Sequence, residues 1–377
     1  MKKIKIGIIG CGNISAKYLH SLTEVFSNVE PVAVSDLSYE AAKKRGKQFN
    51  IPYICKTNEE LLNQPELELV VILTNPDQHF VVAEASLKAG KHTYIEKPLS
   101  LNTTDGRKLI ALAKEKRLML SGAPDTILGA GVQTARKLID DDKIGDPIAT
   151  ISHILTAGPE SWHPDPAFLY HKGAGPLFDV APYYVAALTY LFGPVASVMS
   201  AGKKTYSQRP ITSQPFCGTM IDVEVPTYLV GILTMKSGII CTIHHSFDVL
   251  HTKFENNIEI YGTKGVLIIP TPCDFSGEIL FRGAVDSDWC SIPLSFPYKS
   301  DNRGIGVADM ADALLQKRSP RLGADFVYHT LDILEHLNVS IETNEAKKIE
   351  SIFERTQPMN IEALWGVDKT WNPEDYK

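Results

Sequence analysis

The sequence contains no long uninterrupted stretch of hydrophobic residues. None of its apolar runs approaches the roughly 20 residues that a helix needs to cross a bilayer, so no membrane span is expected. The first three residues lead directly into the first predicted strand, which leaves no room for a signal peptide and favours a cytoplasmic location. With 377 residues, 44% of them hydrophobic and 22% charged, the chain has the composition of a globular protein and the length of two domains.

Paired cysteines and an excess of basic residues are also absent. The six cysteines form no C-x-x-C pair, which indicates reduced thiols rather than disulfides or a thiolate metal site. The adjacent His244 and His245 lie on a predicted strand and point to opposite faces, so they cannot chelate one ion, and no metal is predicted. The net charge of −6 offers no footprint for nucleic acid, so neither nucleic acid nor membrane is an expected partner.

What the sequence does contain is a glycine-rich turn between a strand and a helix. A hydrophobic run at residues 5–9 breaks at Gly10 and Gly12, and a helical pattern begins with Asn13 and Ile14. Gly10 allows a tight bend, and Gly12 lets the backbone approach a pyrophosphate held at the helix N-terminus. The pattern predicts a dinucleotide-binding turn, and the alternative is a turn that only reverses the chain.

An acidic residue ends the second predicted strand. This strand occupies residues 31–35, and the carboxylate of Asp36 then falls where it can accept hydrogen bonds from both hydroxyls of an adenosine ribose. The same carboxylate would repel a 2′-phosphate, so NAD is favoured over NADP. Ser15 stands where a third glycine is usual, and it is small enough for close packing of helix against strand.

Strands and helices continue to alternate after this unit. Two further predicted strands, at residues 69–73 and 93–95, are each followed by polar or small residues, and open parallel sheets bind ligands at such strand ends. The last strand of the series is predicted at residues 118–120. We therefore predict an α/β nucleotide-binding Rossmann domain over residues 1–122.

The second half of the sequence has a different pattern. Long strands are joined by glycine-containing turns, so that neighbouring strands should form antiparallel hairpins. We predict an α+β domain over residues 123–377. Its strands are predicted at residues 148–155, 195–200, 223–235, 239–247, 257–261 and 266–269.

Five short motifs, spread over both halves, occur in the order typical of one family. They are the turn at Gly10, residues 74–79, residues 89–92 followed by 96–98, residues 144–147 and residues 173–183. With them, roughly residues 4–345 closely resemble the glucose–fructose oxidoreductase/inositol dehydrogenase (Gfo/Idh/MocA) family.

The resemblance carries implications for both domains. It implies a Rossmann domain, a second domain with a large, mainly antiparallel open sheet for substrate binding and oligomerisation, and a nicotinamide cofactor held between the two. It also implies a sugar, cyclitol or related polyol as substrate, oxidised or reduced at a secondary carbinol.

Lys97 is the first candidate for proton transfer. Hydride loss from a secondary alcohol requires loss of the hydroxyl proton, and a lysine at the cleft can polarise that oxygen or relay its proton if burial lowers the lysine pKa. The resemblance implies a cis Lys97–Pro98 bond that aims the lysine inward, and it places Glu96 near the nicotinamide ribose. The alternative is a surface lysine beside a helix-starting proline.

Asp179 and Tyr183 are four residues apart on a predicted helix, so both should project from one face towards the cleft. Members of the family typically carry a histidine at the position of Tyr183, so the identity of the base is open. A phenol is a poor base at neutral pH unless a cation such as Lys97 stabilises its anion, which suggests a Tyr–Lys couple with Asp179 orienting substrate or tuning the lysine. Aromatic packing is the alternative for Tyr183.

The residues after the strand at 69–73 are candidates for the cofactor site. The resemblance places Thr74, Asn75, Pro76 and His79 along the nicotinamide side of the cleft. A helix cap or a surface position is an equally good interpretation of His79.

Three other positions are candidates for substrate contacts. The loop with Trp162 and His163 could cover a sugar face with an indole and hydrogen-bond it with an imidazole, or it could simply be packed. Asp125 lies at the domain crossover, where it can meet substrate or cap a turn. Arg303 precedes a helix and is expected to be an exposed arginine, with a substrate or subunit contact as the alternative.

Taken together, these residues favour an NAD(H)-dependent oxidoreductase that acts on a carbohydrate or polyol. One alternative is an enzyme that keeps NAD bound and transiently oxidises a sugar for elimination or glycoside cleavage. Another is a dinucleotide-sensing regulator, against which the intact Glu96, Lys97 and Pro98 count. Because an open sheet leaves one apolar face uncovered, a homodimer or homotetramer is expected.

Overall fold

The computed structural model describes residues 2–283, 288–360 and 365–366. The first domain alternates strands and helices up to residue 122. Its elements are β1 (Ile4–Ile9), α1 (Asn13–Glu24), β2 (Val29–Ser35), α2 (Tyr39–Gln48), β3 (Tyr53–Ile54), α3 (Asn58–Leu62), β4 (Leu69–Ile72), α4 (His79–Lys88), β5 (His92–Ile95), α5 (Thr103–Lys116) and β6 (Leu120–Gly122).

These strands form a parallel sheet with the order β3-β2-β1-β4-β5-β6. All four residues of β4 are buried, because helices cover both faces of the sheet, as its continuous apolar sequence predicts. The strand order reverses between β1 and β4. The carboxyl ends of these two strands therefore flank a crevice, which is where open α/β sheets bind ligands.

The second domain contains a larger sheet with helices on one side. Its elements are α6 (Ala130–Asp140), β7 (Pro147–Leu155), α7 (Gly175–Asp179), α8 (Ala181–Phe192), β8 (Val195–Lys203), β9 (Gln208–Pro210), β10 (Met220–Asp222), β11 (Tyr228–Met235), β12 (Ile240–Ser246), β13 (Asn257–Gly262), β14 (Gly265–Pro270), β15 (Ile279–Gly283), β16 (Cys290–Ile292), α9 (Ile305–Gln316), α10 (Ala324–Thr343) and β17 (Lys347–Lys348). Over the described residues the large sheet has the order β16-β15-β14-β13-β7-β12-β11-β8-β17, and β9 and β10 form a separate hairpin.

The large sheet is mainly antiparallel, and the predicted fold class is confirmed. Among the described strands of this sheet, only β7 and β12 pair in parallel. The predicted hairpins are present as the β11–β12 and β13–β14 pairs. Gly238, in the first of these turns, has a φ of +90°, which a residue with a side chain rarely adopts.

One predicted strand is wrong in its extent. Residues 223–235 were expected to form a single strand, but β10 ends at Asp222 and β11 begins only at Tyr228. Pro226 lies in the gap, and proline has no N–H with which to continue a ladder. The strand predicted at residues 118–120 likewise lies two positions later, as β6.

The central strands leave one face of the large sheet partly uncovered. Along β11, buried residues alternate with exposed or half-buried ones. In the sheet register, Ile232 of β11 pairs with Met199 of β8 on one side and with Thr242 of β12 on the other. Thr242 in turn pairs with Ile151 of β7, so exposed apolar side chains line up across neighbouring strands. We call this surface the open face. Its exposed apolar members are Ile151, Met199, Val230, Ile232 and Ile240.

The C-terminal helices return to the first domain. The side chain of Asn28 donates to the carbonyl of Ala308 in α9, at 2.8 Å, and the hydroxyl of Ser121 donates to the carbonyl of Leu322 at 2.6 Å. The two predicted domains therefore share a packed interface. Residues 367–377, the end of the predicted second domain, lie outside the described residues, and none of the described helices is long and apolar enough to cross a membrane.

Candidate active site

The turn between β1 and α1 requires glycine at its first position. Gly10 has a φ of +103°, and a Cβ there would lie 2.6 Å from the backbone carbon of Leu73 and 2.8 Å from the nitrogen of Thr74. A Cβ on Gly12 would meet nothing within 4 Å. The first glycine is thus fixed by the fold, whereas the second leaves open space in front of the N-terminus of α1.

Ser15 fits the position where a third glycine is usual. It is fully buried, and its hydroxyl donates to the carbonyl of Gly12 at 2.6 Å. The same hydroxyl accepts from Nε of Arg45 at 3.1 Å. Serine therefore satisfies its own polar group within the turn and leaves the approach to Gly12 open.

A cavity lies in front of this turn, at the carboxyl ends of β1 and β4. Five predicted cofactor residues line it, namely Gly10, Gly12, Asp36, Thr74 and Asn75. Asn13 and Ile14 begin α1 beside it, whereas Pro76, His79, Glu96 and Lys97 are not among its lining residues.

The lining of this cavity fits a dinucleotide. The carboxylate of Asp36 is fixed by the backbone N–H groups of Cys11, at 2.7 Å, and Ser38, at 2.8 Å. Each of its oxygens keeps a lone pair for a further donor such as a ribose hydroxyl. Thr74 also lines the cavity, and its hydroxyl oxygen is buried without a hydrogen-bond partner in the described part of the chain.

His79 connects two loops at the edge of the sheet. It is fully buried, with Nδ1 2.7 Å from the carbonyl oxygen of Pro98 and Nε2 3.0 Å from that of Thr74. Burial lowers the pKa of His79, although both carbonyl contacts favour the charged ring. The side chain therefore fixes the turn after β4 against the segment that carries Lys97, from inside the protein.

Lys97 follows β5 and reaches the second domain. The Lys97–Pro98 bond is cis, as the resemblance implies. Nζ donates to the carboxylate of Asp179 and to the carbonyl oxygen of the same residue, each at 2.8 Å. Burial lowers the pKa of Lys97, but the charges of Asp179 and Glu96 outweigh it, so the net shift is upward. The ammonium form is thereby stabilised, contrary to the lowered pKa expected from burial alone.

Glu96 fixes the segment with Lys97 through hydrogen bonds. Its carboxylate accepts from the hydroxyl of Tyr18 at 2.9 Å and from the backbone N–H of Lys97 at 2.7 Å. The side chain is buried. Glu96 thus links α1 to the residue that carries the ammonium group.

Asp179 and Tyr183 lie on two helices rather than on one. Helix α7 ends at Asp179 and α8 begins at Ala181, because Pro182 has no N–H and its ring obstructs the carbonyl four residues earlier. Both side chains nevertheless face Lys97. Its Nζ lies 5.5 Å from the centroid of the Tyr183 ring, within the range of a cation–π contact.

Arg303 belongs to this site, although the sequence analysis preferred an exposed position and gave a substrate or subunit contact as the alternative. It was expected to be exposed, but only 12% of its side chain is accessible. Its Nη1 donates to the hydroxyl oxygen of Tyr183 at 3.3 Å, and its guanidinium carbon lies 5.6 Å from that ring centroid. Burial raises the pKa of Tyr183, and the opposing charges of Arg303 and Lys97 do not cancel the effect. The phenol therefore holds its proton at neutral pH.

Asp125 lies beneath Arg303 and is fully buried. One carboxylate oxygen accepts from the backbone N–H groups of Gly304, at 2.7 Å, and Gly306, at 3.2 Å, at the start of α9. Burial raises the pKa of Asp125 to about 6. This arrangement caps a helix, and no part of the side chain is exposed to a ligand.

Trp162 and His163 lie on a surface loop of the second domain. Trp162 is 68% exposed, and the His163 ring contacts both Trp162, at 5.5 Å, and Phe168, at 5.4 Å between centroids. Over the described residues, no hydrogen bond or ring contact joins this loop to Lys97 or Tyr183. The structure thus brings together Lys97, Asp179 and Tyr183, but not the two aromatic candidates.

Comparison with known proteins places both halves of the chain. The model of an oxidoreductase family with an NAD-binding Rossmann fold matches residues 4–123, and the model of the Gfo/Idh/MocA C-terminal domain matches residues 132–268. An inositol 2-dehydrogenase/D-chiro-inositol 3-dehydrogenase of Lactiplantibacillus plantarum is 35% identical over 147 residues, which are 38% of this chain and 42% of that protein. A trans-1,2-dihydrobenzene-1,2-diol dehydrogenase of Bos taurus is 26% identical over 74% of this chain and 78% of its own.

Solved structures share the fold over nearly the whole chain. An NAD binding oxidoreductase from Klebsiella pneumoniae superimposes with a TM-score of 0.81 at 18% identity, covering 92% of this chain and 99% of that one. A levoglucosan dehydrogenase in complex with NADH gives 0.80 at 19% identity, covering 93% and 100%. The glycine-rich turn, the cavity beside Asp36 and the two family models agree, and the chain belongs to the Gfo/Idh/MocA family of NAD-binding oxidoreductases.

Proposed function

We propose that this enzyme transfers hydride at a secondary carbinol of a sugar, cyclitol or related polyol. The observation that carries the proposal is the meeting of Lys97, from the end of a Rossmann strand, with Asp179 and Tyr183 of the second domain. The named activities of the inositol and levoglucosan dehydrogenases, which share its family or fold, support this class of substrate.

NAD would occupy the cavity lined by the glycine-rich turn and Asp36. Bound there, NAD would supply an acceptor for the hydride of a carbinol carbon, and NADH would supply a hydride donor for a carbonyl. Side chains of the protein would take up or supply the proton at the substrate oxygen. Gly12 provides room for the pyrophosphate, and Asp36 provides acceptors for the ribose hydroxyls.

Lys97 and Tyr183 supply donors for that oxygen. The raised pKa of each keeps both groups protonated at neutral pH, so each can donate a hydrogen bond to a carbonyl or a developing alkoxide. Asp179 holds the ammonium in place at 2.8 Å. We propose Tyr183 as the group that moves the proton: the phenol gives its proton to the oxygen of a carbonyl that is reduced, and its phenolate form takes the proton from an alcohol that is oxidised. Lys97 is the fixed charge beside it.

We propose that the surface loop with Trp162 and His163 contacts the sugar. Trp162 offers an exposed indole face, and His163 offers a ring nitrogen, which are the two kinds of group that sugars use for stacking and hydrogen bonding. We assign no role to Asp125 in binding substrate, because the fold uses its carboxylate as a helix cap.

A panel of sugars, cyclitols and glycosides, assayed for NAD reduction, tests the substrate class. Turnover of a polyol with stoichiometric NADH is expected, whereas a changed product without NADH points to transient oxidation on a retained cofactor. Binding of NAD without turnover of any compound would contradict the proposal and favour a dinucleotide sensor.

Two pairs of variants test the residues. Lys97→Ala should lower turnover by about 10²-fold or more, the scale of positioned acid–base catalysis, while Lys88→Ala on the exposed surface of α4 should not. Tyr183→Phe should cause a comparable loss. Tyr184→Phe is the matched control, because its hydroxyl bonds only to the carbonyl of His153 and the hydroxyl of Thr271 among the described residues. Normal turnover in Tyr183→Phe would refute the assignment.

A further inference from the structure

We propose that Arg303 is a positioning residue, which occupies a lone pair of the Tyr183 oxygen and so directs the phenolic hydrogen towards the substrate. This inference rests on the proposed function of Tyr183. It adds to the site a group that lies 120 positions away in the chain and that belongs to none of the five family motifs.

The direction of the hydrogen bond is fixed by chemistry. A guanidinium has five N–H donors and no acceptor, so the contact of 3.3 Å between Nη1 of Arg303 and Oη of Tyr183 can only run from arginine to phenol. In the described part of the chain, the Tyr183 hydroxyl donates no hydrogen bond of its own. The phenolic hydrogen is therefore available to a ligand. Because the guanidinium accepts no hydrogen bond, that hydrogen must point away from Arg303.

The backbone around Arg303 is held in place independently of Tyr183. Asp125 accepts from the N–H of Gly304 and Gly306, the residues just after the arginine. An ion pair of 3.4 Å joins Nε of Arg303 to the carboxylate of Asp301, without hydrogen-bond geometry. The guanidinium is thus fixed in position, yet its structural partners leave it only partly satisfied, which is the condition expected of a group that serves a ligand site.

The charges around the ring support the same assignment. Lys97 and Arg303 both approach the Tyr183 ring, at 5.5 and 5.6 Å from its centroid, while Glu96 and Cys273 act electrostatically to raise the Tyr183 pKa. After burial, which raises the Tyr183 pKa, Arg303 is the largest influence and lowers it, followed by Lys97. Removing Arg303 should therefore raise the pKa of the phenol further and leave its hydrogen free to point away from substrate.

The test compares Arg303→Met and Arg303→Lys in the wild-type and Tyr183→Phe backgrounds of the full chain. Lys17→Met is the matched control, since Lys17 pairs with the same Asp301. We expect Arg303→Met to lower kcat about tenfold or more, the scale of a hydrogen bond to a charged group, with a smaller effect on KM. In the Tyr183→Phe background the same change should cost less than about threefold, because the two residues act as one unit. Arg303→Lys, which keeps the charge, should recover part of the loss.

A spectroscopic titration gives a readout that does not depend on turnover. The tyrosinate absorbance of Tyr183, isolated by subtracting the titration of Tyr183→Phe, should move to higher pH in Arg303→Met and stay near the wild-type value in Lys17→Met. Equal losses of kcat in both backgrounds, or an unshifted titration, would overturn the inference. Near-normal turnover of Tyr183→Phe would instead overturn the proposed proton transfer by Tyr183. If the Tyr183 titration still shifts in Arg303→Met, the contact between Arg303 and Tyr183 stands and only the proton-transfer role fails.

Discussion

Alanine substitutions at the two glycines of the β1–α1 turn should separate stability from cofactor binding. At Gly10, an alanine must adopt a φ of +103°, and its methyl would lie 2.6 Å from the carbon and 2.7 Å from the oxygen of Leu73. The left-handed conformation costs about 1–2 kcal/mol, and overpacking against a rigid backbone costs about 1–3 kcal/mol. Gly10→Ala should therefore lower the free energy of unfolding by about 2–5 kcal/mol.

Gly12→Ala is the matched control. Its φ of −72° suits any residue, and a Cβ there meets nothing within 4 Å. We expect the unfolding free energy to change by less than about 1 kcal/mol. The methyl would, however, occupy the space proposed for the pyrophosphate. A steric cost of about 1.4 kcal/mol or more for the bound cofactor would lower the affinity for NAD by about tenfold or more.

The assays are urea unfolding followed by circular dichroism, and calorimetric titration with NAD, on both variants and the wild type. An unfolding midpoint of Gly10→Ala equal to that of the wild type would refute the close approach of Leu73 to this turn. Unchanged NAD affinity in Gly12→Ala would refute the position assigned to the pyrophosphate.

Three further perturbations test other parts of the molecule. Asp36→Ala should narrow the preference for NAD over NADP in calorimetry, because the carboxylate that repels a 2′-phosphate is gone. Equal affinities of the wild type for NAD and NADP would exclude this role of Asp36. Light scattering at micromolar concentration should give the mass of a dimer or tetramer, because the open face exposes aligned apolar side chains, and a monomeric mass would contradict it. The pKa of Asp125 is raised from 3.8 to about 6, so its contribution to stability is present below pH 4 and is lost as the pH rises to 6. Asp125→Asn should flatten the dependence of the unfolding midpoint on pH between about pH 4 and 6. Parallel curves for the variant and the wild type would contradict this contribution of Asp125.

Local patterns were sufficient for most of the fold. The apolar run at residues 69–73 predicts a strand buried on both faces, and β4 is such a strand. The Gly10 turn could be recognised because its constraint lies in a few consecutive residues. The strand predicted at residues 223–235 failed where hydrophobic pattern and backbone chemistry disagree, since Pro226 interrupts the ladder whatever its neighbours favour.

The site was less accessible to sequence reasoning, for reasons of distance along the chain. Lys97, Asp179 and Tyr183 could each be nominated from a short motif, although their mutual distances could not. The burial of Arg303 depends on Tyr183, 120 positions away, and on the carboxylate of Asp125, which holds Gly304 from 179 positions away. No periodicity or short motif contains such information, so a residue type that is usually exposed was assigned to the surface.

The protonation state of Lys97 shows how strongly the site depends on the contact between the domains. Burial alone would favour a neutral lysine, whereas a Tyr–Lys couple requires a charged one, and the sequence left both states open. The fold instead brings a carboxylate of the second domain to 2.8 Å from Nζ, and the net pKa rises. The raised pKa of Lys97 is therefore a property of the assembled pair of domains. Opening the cleft would break the contact between Lys97 and Asp179, so the same ion pair that orders the catalytic groups also opposes that opening.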